Sequence, residues 1–414
     1  MAAYLTDTPG IGGRLRAEPE DFRVLETGEG PTRFDGGPFA AARIELRNWE
    51  TNRFAMQAAR VLGIPREHVA FAGMKDKRAV TEQWFTFRGP VENVDKLATL
   101  QDVRVLEKYG TRKAHFAGAH EGNGFVIRVR ESTRDRAAVD LTAEGIRQEG
   151  GVPNFFGPQR FGGPFRTITH LVGRAMVEGD LEEACRLYLG HPMPGEREEV
   201  QAARRIYEET RDAARTLAAF PPALDPERAM LERLVRRPGD WRYALQAHPH
   251  NMQQFFVHAW QSYVFNHVVS ARVAAGLGLN RAHVGDLAMA VDEDGTVVHP
   301  VDAGNLNRVQ RELDLGRAAL TAPLPGTKNP MASGIPGEVE ADVLDALDVD
   351  PAAFRMRELP EVASEGRRRG ILQPVGDLAV AWTDDDPVFS FSLGRGSYAT
   401  VVLREFMKAG PGSY

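Results

Sequence analysis

Asp76 stands among cations: Lys75 precedes it, Lys77 and Arg78 follow it, and Gly73 lies just upstream. A short carboxylate has few rotamers and is already ionised at neutral pH. Held dry and aimed, it can act as an oxygen nucleophile or as a base. The same residues also suit an exposed loop whose charges are simply solvated, since mixed-charge loops are common on protein surfaces. If the segment is extended, Lys75 points to the opposite side from Asp76. That orientation suits a phosphate contact or a structural ion pair.

The elements around this loop can be read from pattern. Thr51 and Asn52 can cap a helix running through Phe54, Ala55, Ala58, Val61 and Leu62 and stopped by Gly63 and Pro65. Its apolar residues fall on one face, as expected of a helix packed on a sheet. Residues 83–88 and 125–130 read as strands bounded by Gly or Pro. Asp76 is therefore expected on a loop that enters a strand, where a rigid sheet can aim it. Beyond residue 161 the character changes. Residues 170–240 are rich in Ala, Glu, Arg and Leu at helical spacing, and a further helix is predicted over 255–275. Residues 322–337, with four prolines and three glycines, read as a loop. Phe389, Phe391 and Leu393 restore a period-two strand pattern, while the stretch 406–410 is too short to assign. Sheet, then mostly helix, then sheet again is the order an insertion into an α+β domain would produce. The expected division is a catalytic core over 1–160 and 363–414, with an inserted domain over 161–362.

At 414 residues, with 43% hydrophobic and 26% charged positions, the chain reads as soluble and globular. It has no apolar run long enough for a membrane span and no signal-peptide core, which leads to the expectation of a cytoplasmic protein. The single Cys185 cannot form an internal disulfide; it sits in a helical pattern and reads as a packing residue. The net charge of −6 argues against indiscriminate nucleic-acid binding, so its distribution matters more. Residues 43–88 carry nine Lys/Arg against five Asp/Glu; residues 283–350 carry four against thirteen. The N-terminal part is thus the better candidate to face phosphate. His248, His250 and His258 do not form a convincing metal set, because Pro249 separates the first two and no Cys or acidic ligands lie nearby. Pro325-Gly326-Thr327-Lys328 lacks phosphate-loop spacing.

Six blocks of sequence carry a more specific signal. Gly73, Lys75, Asp76, Ala79, Thr81 and Gln83 have the spacing of one short signature. Arg16 precedes Pro19-Glu20-Asp21-Phe22, with Val24 and Glu26 after it. Gly122-Asn123-Gly124-Phe125 leads into Val126-Ile127-Arg128. Val152-Pro153-Asn154-Phe155-Phe156-Gly157 runs on through Gln159, Arg160 and Gly162. His258-Ala259-Trp260-Gln261-Ser262-Tyr263 and Gly396-Ser397-Tyr398-Ala399-Thr400 complete the series. In this order, over nearly the whole chain, the blocks resemble the tRNA pseudouridine synthase D (TruD) family. The length of the insertion is similar to that of the archaeal and eukaryotic branch.

The resemblance implies an α+β fold with a pseudouridine-synthase mixed sheet, flanking helices and a helix-rich insertion, the substrate lying in a cleft between core and insertion. It implies isomerisation of uridine to pseudouridine in tRNA, with uridine 13 of the D arm as the target. Asp76 would be the essential acid, leaving open attack at C1′, attack at C6 or removal of a sugar proton. Because an ionised Asp in a dry pocket needs a positive partner, Arg16 becomes the candidate for that role. A target uridine must leave its stack. Phe125 is the expected platform and Asn123, on the same strand face, its polar neighbour. Read without the family, Phe125 would be plain core and Arg16 a surface residue. Asn154, Phe156, Gln159 and Arg160 would bond uracil edges or phosphates, or alternatively form a hinge between domains. Lys75 is included among the substrate contacts. The reaction needs no redox change and no group donor, so no cofactor or metal is expected; the partner is tRNA and the chain a monomer. The rivals are a non-catalytic RNA-binding protein on the same fold, which would be free to lose Asp76 or Arg16, and a methyltransferase, which would need a Gly-rich cofactor turn.

Overall fold

The computed structural model describes residues 3–75, 77–116, 118–163, 165–291, 295 and 297–410. The chain forms two compact units. One comprises Leu5–Val152 and Gln373–Tyr414; the other is built on Pro153–Leu372. The chain thus leaves the first unit after Val152 and returns to it at Gln373, where the sequence reading had set the divisions at 160 and 362.

The first unit opens with β1 (Phe22–Thr27) and β2 (Phe39–Arg47), followed by α1 (Thr51–Leu62), β3 (Val69–Phe71) and β4 (Val80–Arg88). Strands β5 (Val103–Thr111) and β6 (Gly122–Arg128), helix α2 (Arg136–Glu149) and a short strand β7 (Gly151–Pro153) complete its N-terminal part. Helix α1 starts one residue earlier than a Thr51 cap would place it. Glu50 is the cap, its carboxylate accepting the N–H groups of Asn52 and Arg53. Gly63 ends the helix in the left-handed conformation at φ 68°. Phe54, Ala55, Ala58 and Ala59 on α1 pack on Ala40, Ala42, Ile44 and Leu46, which alternate along β2, and on Phe85 and Phe87 of β4. This is the core that fixes α1 on the sheet, and every one of these side chains is at most 4% exposed.

In the second unit, α3 (Thr169–Glu178), α4 (Leu181–Leu189), α5 (Glu198–Thr210), α6 (Ala213–Ala219), α7 (Asp225–Arg236) and α8 (Trp241–Leu245) precede the long α9 (His250–Ala274). Then come β8 (Leu287–Ala290), β9 (His299–Pro300), α10 (Leu306–Asp314), β10 (Ala318–Leu324), α11 (Gly334–Ala346) and β11 (Arg367–Gly370). The four strands pair in the order β11-β10-β8-β9. Gly173 lets α3 lie directly on α9, for a Cβ there would be 1.9 Å from the Phe256 carbonyl oxygen. Cys185 is fully buried on α4, and burial pushes its thiol pKa up.

The expected loop over 322–337 is shorter than its prolines suggest. Pro323 sits within β10, opposite Arg368 of β11, beyond the part of β10 that β8 pairs, so its missing N–H breaks no ladder there. Pro336 lies in the first turn of α11, where a helix tolerates proline.

The return to the first unit runs through β12 (Leu372–Pro374), β13 (Gly376–Thr383), β14 (Asp386–Gly394) and α12 (Ala399–Met407). The large sheet has the order β13-β14-β6-β1-β4-β2-β5, with β3 added against β4. Only β1 and β4 run parallel; the sheet is mixed. Along β14 the residues alternate buried and half-buried, as the period-two pattern required.

Candidate active site

The site builds outward from β1, at the centre of the large sheet. Successive strand side chains alternate faces, so Phe22, Val24 and Glu26 share one face. Their partners on β6 are Ile127, Phe125 and Asn123, and β14 adds Phe389, Phe391 and Leu393 in the same rows. Asn123 and Phe125 therefore do lie on one face of β6. Glu26 is opposite Asn123, and both are next to the segment that joins β3 to β4.

Asp76, in that segment, lies outside the described residues. The residue before it is tightly held. Lys75 Nζ donates to Asn123 Oδ1 at 2.7 Å and stands 3.2 Å from Glu26 Oε2, with the Lys75 and Glu26 side chains each 3% exposed. The Lys75 backbone N–H donates to Thr51 Oγ1 at 3.0 Å. Thr51, read from sequence as a helix cap, instead ties the start of α1 to this segment. Two residues earlier, Gly73 makes room for a histidine: a Cβ on it would be 3.1 Å from His120 Cε1.

Glu26 gathers three donors. His115 Nε2 is 3.6 Å from Oε1, and the Trp84 N–H donates to the same oxygen at 3.4 Å. Burial alone would raise the Glu26 carboxyl. The nearby His115 imidazole and the Lys75 charge outweigh it and hold the group below the usual carboxylate range. Burial lowers the Lys75 ammonium, an effect that Glu26 offsets in part. Gln83, the last residue of the signature, is fully buried on β4, and neither side-chain amide atom has a partner among the described residues.

Arg16 precedes this sheet at φ 56°, a conformation side chains rarely adopt. Its guanidinium carbon lies 4.1 Å from the centre of the Phe22 ring. Phe22 meets Phe125 edge-on at 6.4 Å, and Phe125 stacks on Phe391 at 5.4 Å with 28° between planes. Phe125 is 6% exposed, so most of its ring is already covered. Asp21 anchors the entry to β1 through Arg130, whose Nη2 lies 2.7 Å from Oδ1. Burial opposes ionisation of Asp21, but this guanidinium keeps its carboxyl below the usual range.

Asn154, Phe156, Gln159 and Arg160 belong to the second unit, because the division falls after Val152. Asn154 donates to the Gly370 carbonyl at 2.8 Å and accepts from Arg369 at 2.6 Å. Asn266 grips both backbone groups of Phe156, accepting its N–H at 2.9 Å and donating to its carbonyl at 3.0 Å. Arg160 Nε donates to Ser262 Oγ at 3.0 Å, and Gln159 is exposed in the 3-10 turn Pro158–Phe161. Gln261 is not a surface group: it is buried and donates to the Pro325 carbonyl. His248 packs edge-on against Tyr188 and Phe256, and among the described residues no three His, Cys, Asp or Glu side chains converge as metal ligands.

Sequence reasoning gave no role to Glu26, His115 or His120, and read Thr51 only as a helix cap. Glu26 was visible as the last residue of the opening block, two strand positions from Val24. Nothing in the local sequence signals His115 or His120, because their neighbours Glu26 and Gly73 lie 89 and 47 positions away in the chain.

The family model for tRNA pseudouridine synthase D matches residues 1–406. A Methanosarcina acetivorans protein named a probable tRNA pseudouridine synthase D is 39% identical over 99% of this chain and 95% of its own length. A Halobacterium salinarum protein of the same name is 42% identical over 99% of this chain and 96% of its own length. The crystal structure of a Methanosarcina mazei protein assigned as tRNA pseudouridine synthase D superposes with a TM-score of 0.94 at 38% identity, covering 100% of this chain and 98% of that one.

Proposed function

The chain belongs to the tRNA pseudouridine synthase D family, and we propose that it isomerises uridine to pseudouridine in tRNA with Asp76 as its nucleophile or base. The target on this reading is uridine 13 of the D arm. The observation that carries it is the fixing of Lys75, the residue before Asp76, at three points: Thr51 on α1, Asn123 on β6 and Glu26 on β1. A carboxylate that is to meet a reacting sugar or ring has to be positioned, and a fixed neighbour in the chain supports that reading.

The conversion breaks N1–C1′ and forms C5–C1′; C5 loses a proton and N1 gains one. Composition and redox state are unchanged, so the chain's own groups can carry it. Arg16 supplies the positive charge that keeps a buried carboxylate ionised. Phe125 and Asn123 form the floor and a polar edge for the extruded uracil, the ring already braced by Phe22 and Phe391. Lys75 acts from beneath, through Glu26 and Asn123, and not on phosphate: its ammonium is 3% exposed. Asn154, Phe156, Gln159 and Arg160 contact the RNA from the second unit. No helix among the described residues is long and apolar enough to cross a membrane. We take the enzyme to work in the cytoplasm as a monomer.

The target is tested by incubating purified protein with an unmodified tRNA pool, without cofactor, and mapping carbodiimide-dependent reverse-transcription stops. A single new stop at position 13 supports the reading. Stops confined to other positions would retain the reaction and replace the target.

A further inference from the structure

The row of residues that crosses the large sheet at Glu26 changes character within one strand. Leu393, Asn123 and Glu26 are paired in turn from β14 to β1. One step beyond the pair Leu25 and Glu82, Glu26 comes level with Gln83 on β4. The Trp84 N–H still reaches Glu26 Oε1 at that point. Val24 lies beside Thr81, so two residues further on Glu26 and Gln83 share a face. Across β4, Gln83 is opposite Ile44 of β2. Gln83 therefore stands between a buried ion pair and the apolar core of Ile44 and Phe85.

Gln83 is 0% exposed, and among the described residues both its amide nitrogen and its amide oxygen lack a hydrogen-bond partner. Glu26 Oε2 stands 3.2 Å from Lys75 Nζ but accepts no aligned hydrogen bond either. A buried amide left unbonded is costly, and methionine would fill the same space without that cost. Packing alone thus gives no reason for an amide here, whereas the carboxylate beside it can accept one. The network continues toward the site. Lys75 Nζ donates to Asn123 Oδ1 at 2.7 Å. A uracil N–H bonded to that oxygen competes with Lys75 and changes how its ammonium is shared between Asn123 and Glu26.

We propose that Gln83 is a positioning residue of the reaction. Its amide donates to Glu26 when an extruded uracil takes up Asn123, so that Glu26, Lys75 and the segment leading to Asp76 settle together. Wholly buried, Gln83 does not touch the RNA; it acts through Glu26. The bond is drawn on only after tRNA has bound and the uridine has left its stack, so its loss falls on kcat. That uracil is the occupant rests on the proposed function; the role of Gln83 goes beyond it.

The test is Gln83→Met in the full-length chain, read by denaturant unfolding of the free protein and by kcat, KM and binding on unmodified tRNA. The midpoint should equal or exceed that of wild type, because an unbonded amide has been removed. At the same time kcat should fall by roughly ten- to a hundredfold, as expected of a misplaced reacting group. KM and tRNA affinity should stay within about threefold of wild type. A purely structural residue would instead move stability and kcat in the same direction. A lowered midpoint, or a variant that does not fold, would show that the amide is bonded in the free protein, to a trapped water or otherwise, and would overturn the proposal. So would a wild-type kcat, or a loss confined to KM. If wild type itself forms no pseudouridine, the proposed reaction falls and this role with it. If wild type is active and Gln83→Met matches it, only the role of Gln83 falls.

Discussion

Lys75 Nζ and Glu26 Oε2 are 3.2 Å apart in a part of the sheet where both side chains are 3% exposed. An ion pair at this depth gives little net stability, because desolvation consumes most of the attraction. Breaking it is another matter. Glu26→Gln should destabilise the first unit by about 3–5 kcal/mol, since the Lys75 ammonium is left buried without a counter-charge. Adding Lys75→Met should recover part of the loss. Denaturant unfolding of the two variants checks this; a single-variant loss below about 1 kcal/mol would mean that the pair is hydrated.

Thr51 Oγ1 accepts the Lys75 N–H and is 1% exposed. Thr51→Val keeps the shape and removes the acceptor, at a cost of about 1–3 kcal/mol for the orphaned N–H. Because the same bond steadies the segment that carries Asp76, kcat should fall while tRNA affinity changes little. Thr51→Ser should restore both. An unchanged kcat in a folded Thr51→Val protein would separate this bond from function.

Arg367 and Arg368 are adjacent, but the strand sends them to opposite sides. Arg368 is 1% exposed and paired with Glu340, itself 4% exposed. Arg368→Met should cost about 3–5 kcal/mol by leaving a buried carboxylate unpaired. Arg367→Gln should stay within about 0.5 kcal/mol of wild type. Thermal unfolding of the two variants distinguishes them directly.

Burial lowers the pKa of both His170 and His248 to about 4, from an ordinary 6.5. Their folded-state values lie below their unfolded ones, so the unfolded chain takes up these protons first. Stability from both groups is present above pH 6.5, declines as pH falls, and has been lost by about pH 4. Glu26 shifts in the usual carboxylate sense. Its contribution is present above the ordinary value of 4.5 and is lost as pH falls through its lower folded value. Unfolding free energy should therefore drop first between pH 6.5 and 4, and His248→Phe should flatten that part of the curve. An unaltered profile in that variant would assign the drop elsewhere.

Elements with an uninterrupted period were legible in the sequence. Phe389, Phe391 and Leu393 announced β14, and the apolar face from Phe54 to Leu62 announced α1. Caps and prolines misled where tertiary contacts decided. Glu50 took the cap because Thr51 was engaged by Lys75, and Pro323 entered a strand because β8 ends before it. The signature around Asp76 singled out the segment between β3 and β4, but not the residues packed around it. Glu26, His115 and His120 meet that loop only through the pairing of β1 with β4 and β6, which no local pattern records.

The central claim is that Asp76 carries the isomerisation of uridine in tRNA. Its most direct test is pseudouridine formation by wild type and Asp76→Asn on the same unmodified tRNA, under single-turnover conditions with tRNA binding measured in parallel. The account predicts one pseudouridine per tRNA with wild type and none above background with Asp76→Asn, at tRNA affinities within about threefold of each other, or ~0.6 kcal/mol. Product formed by Asp76→Asn at a rate near that of wild type would contradict it.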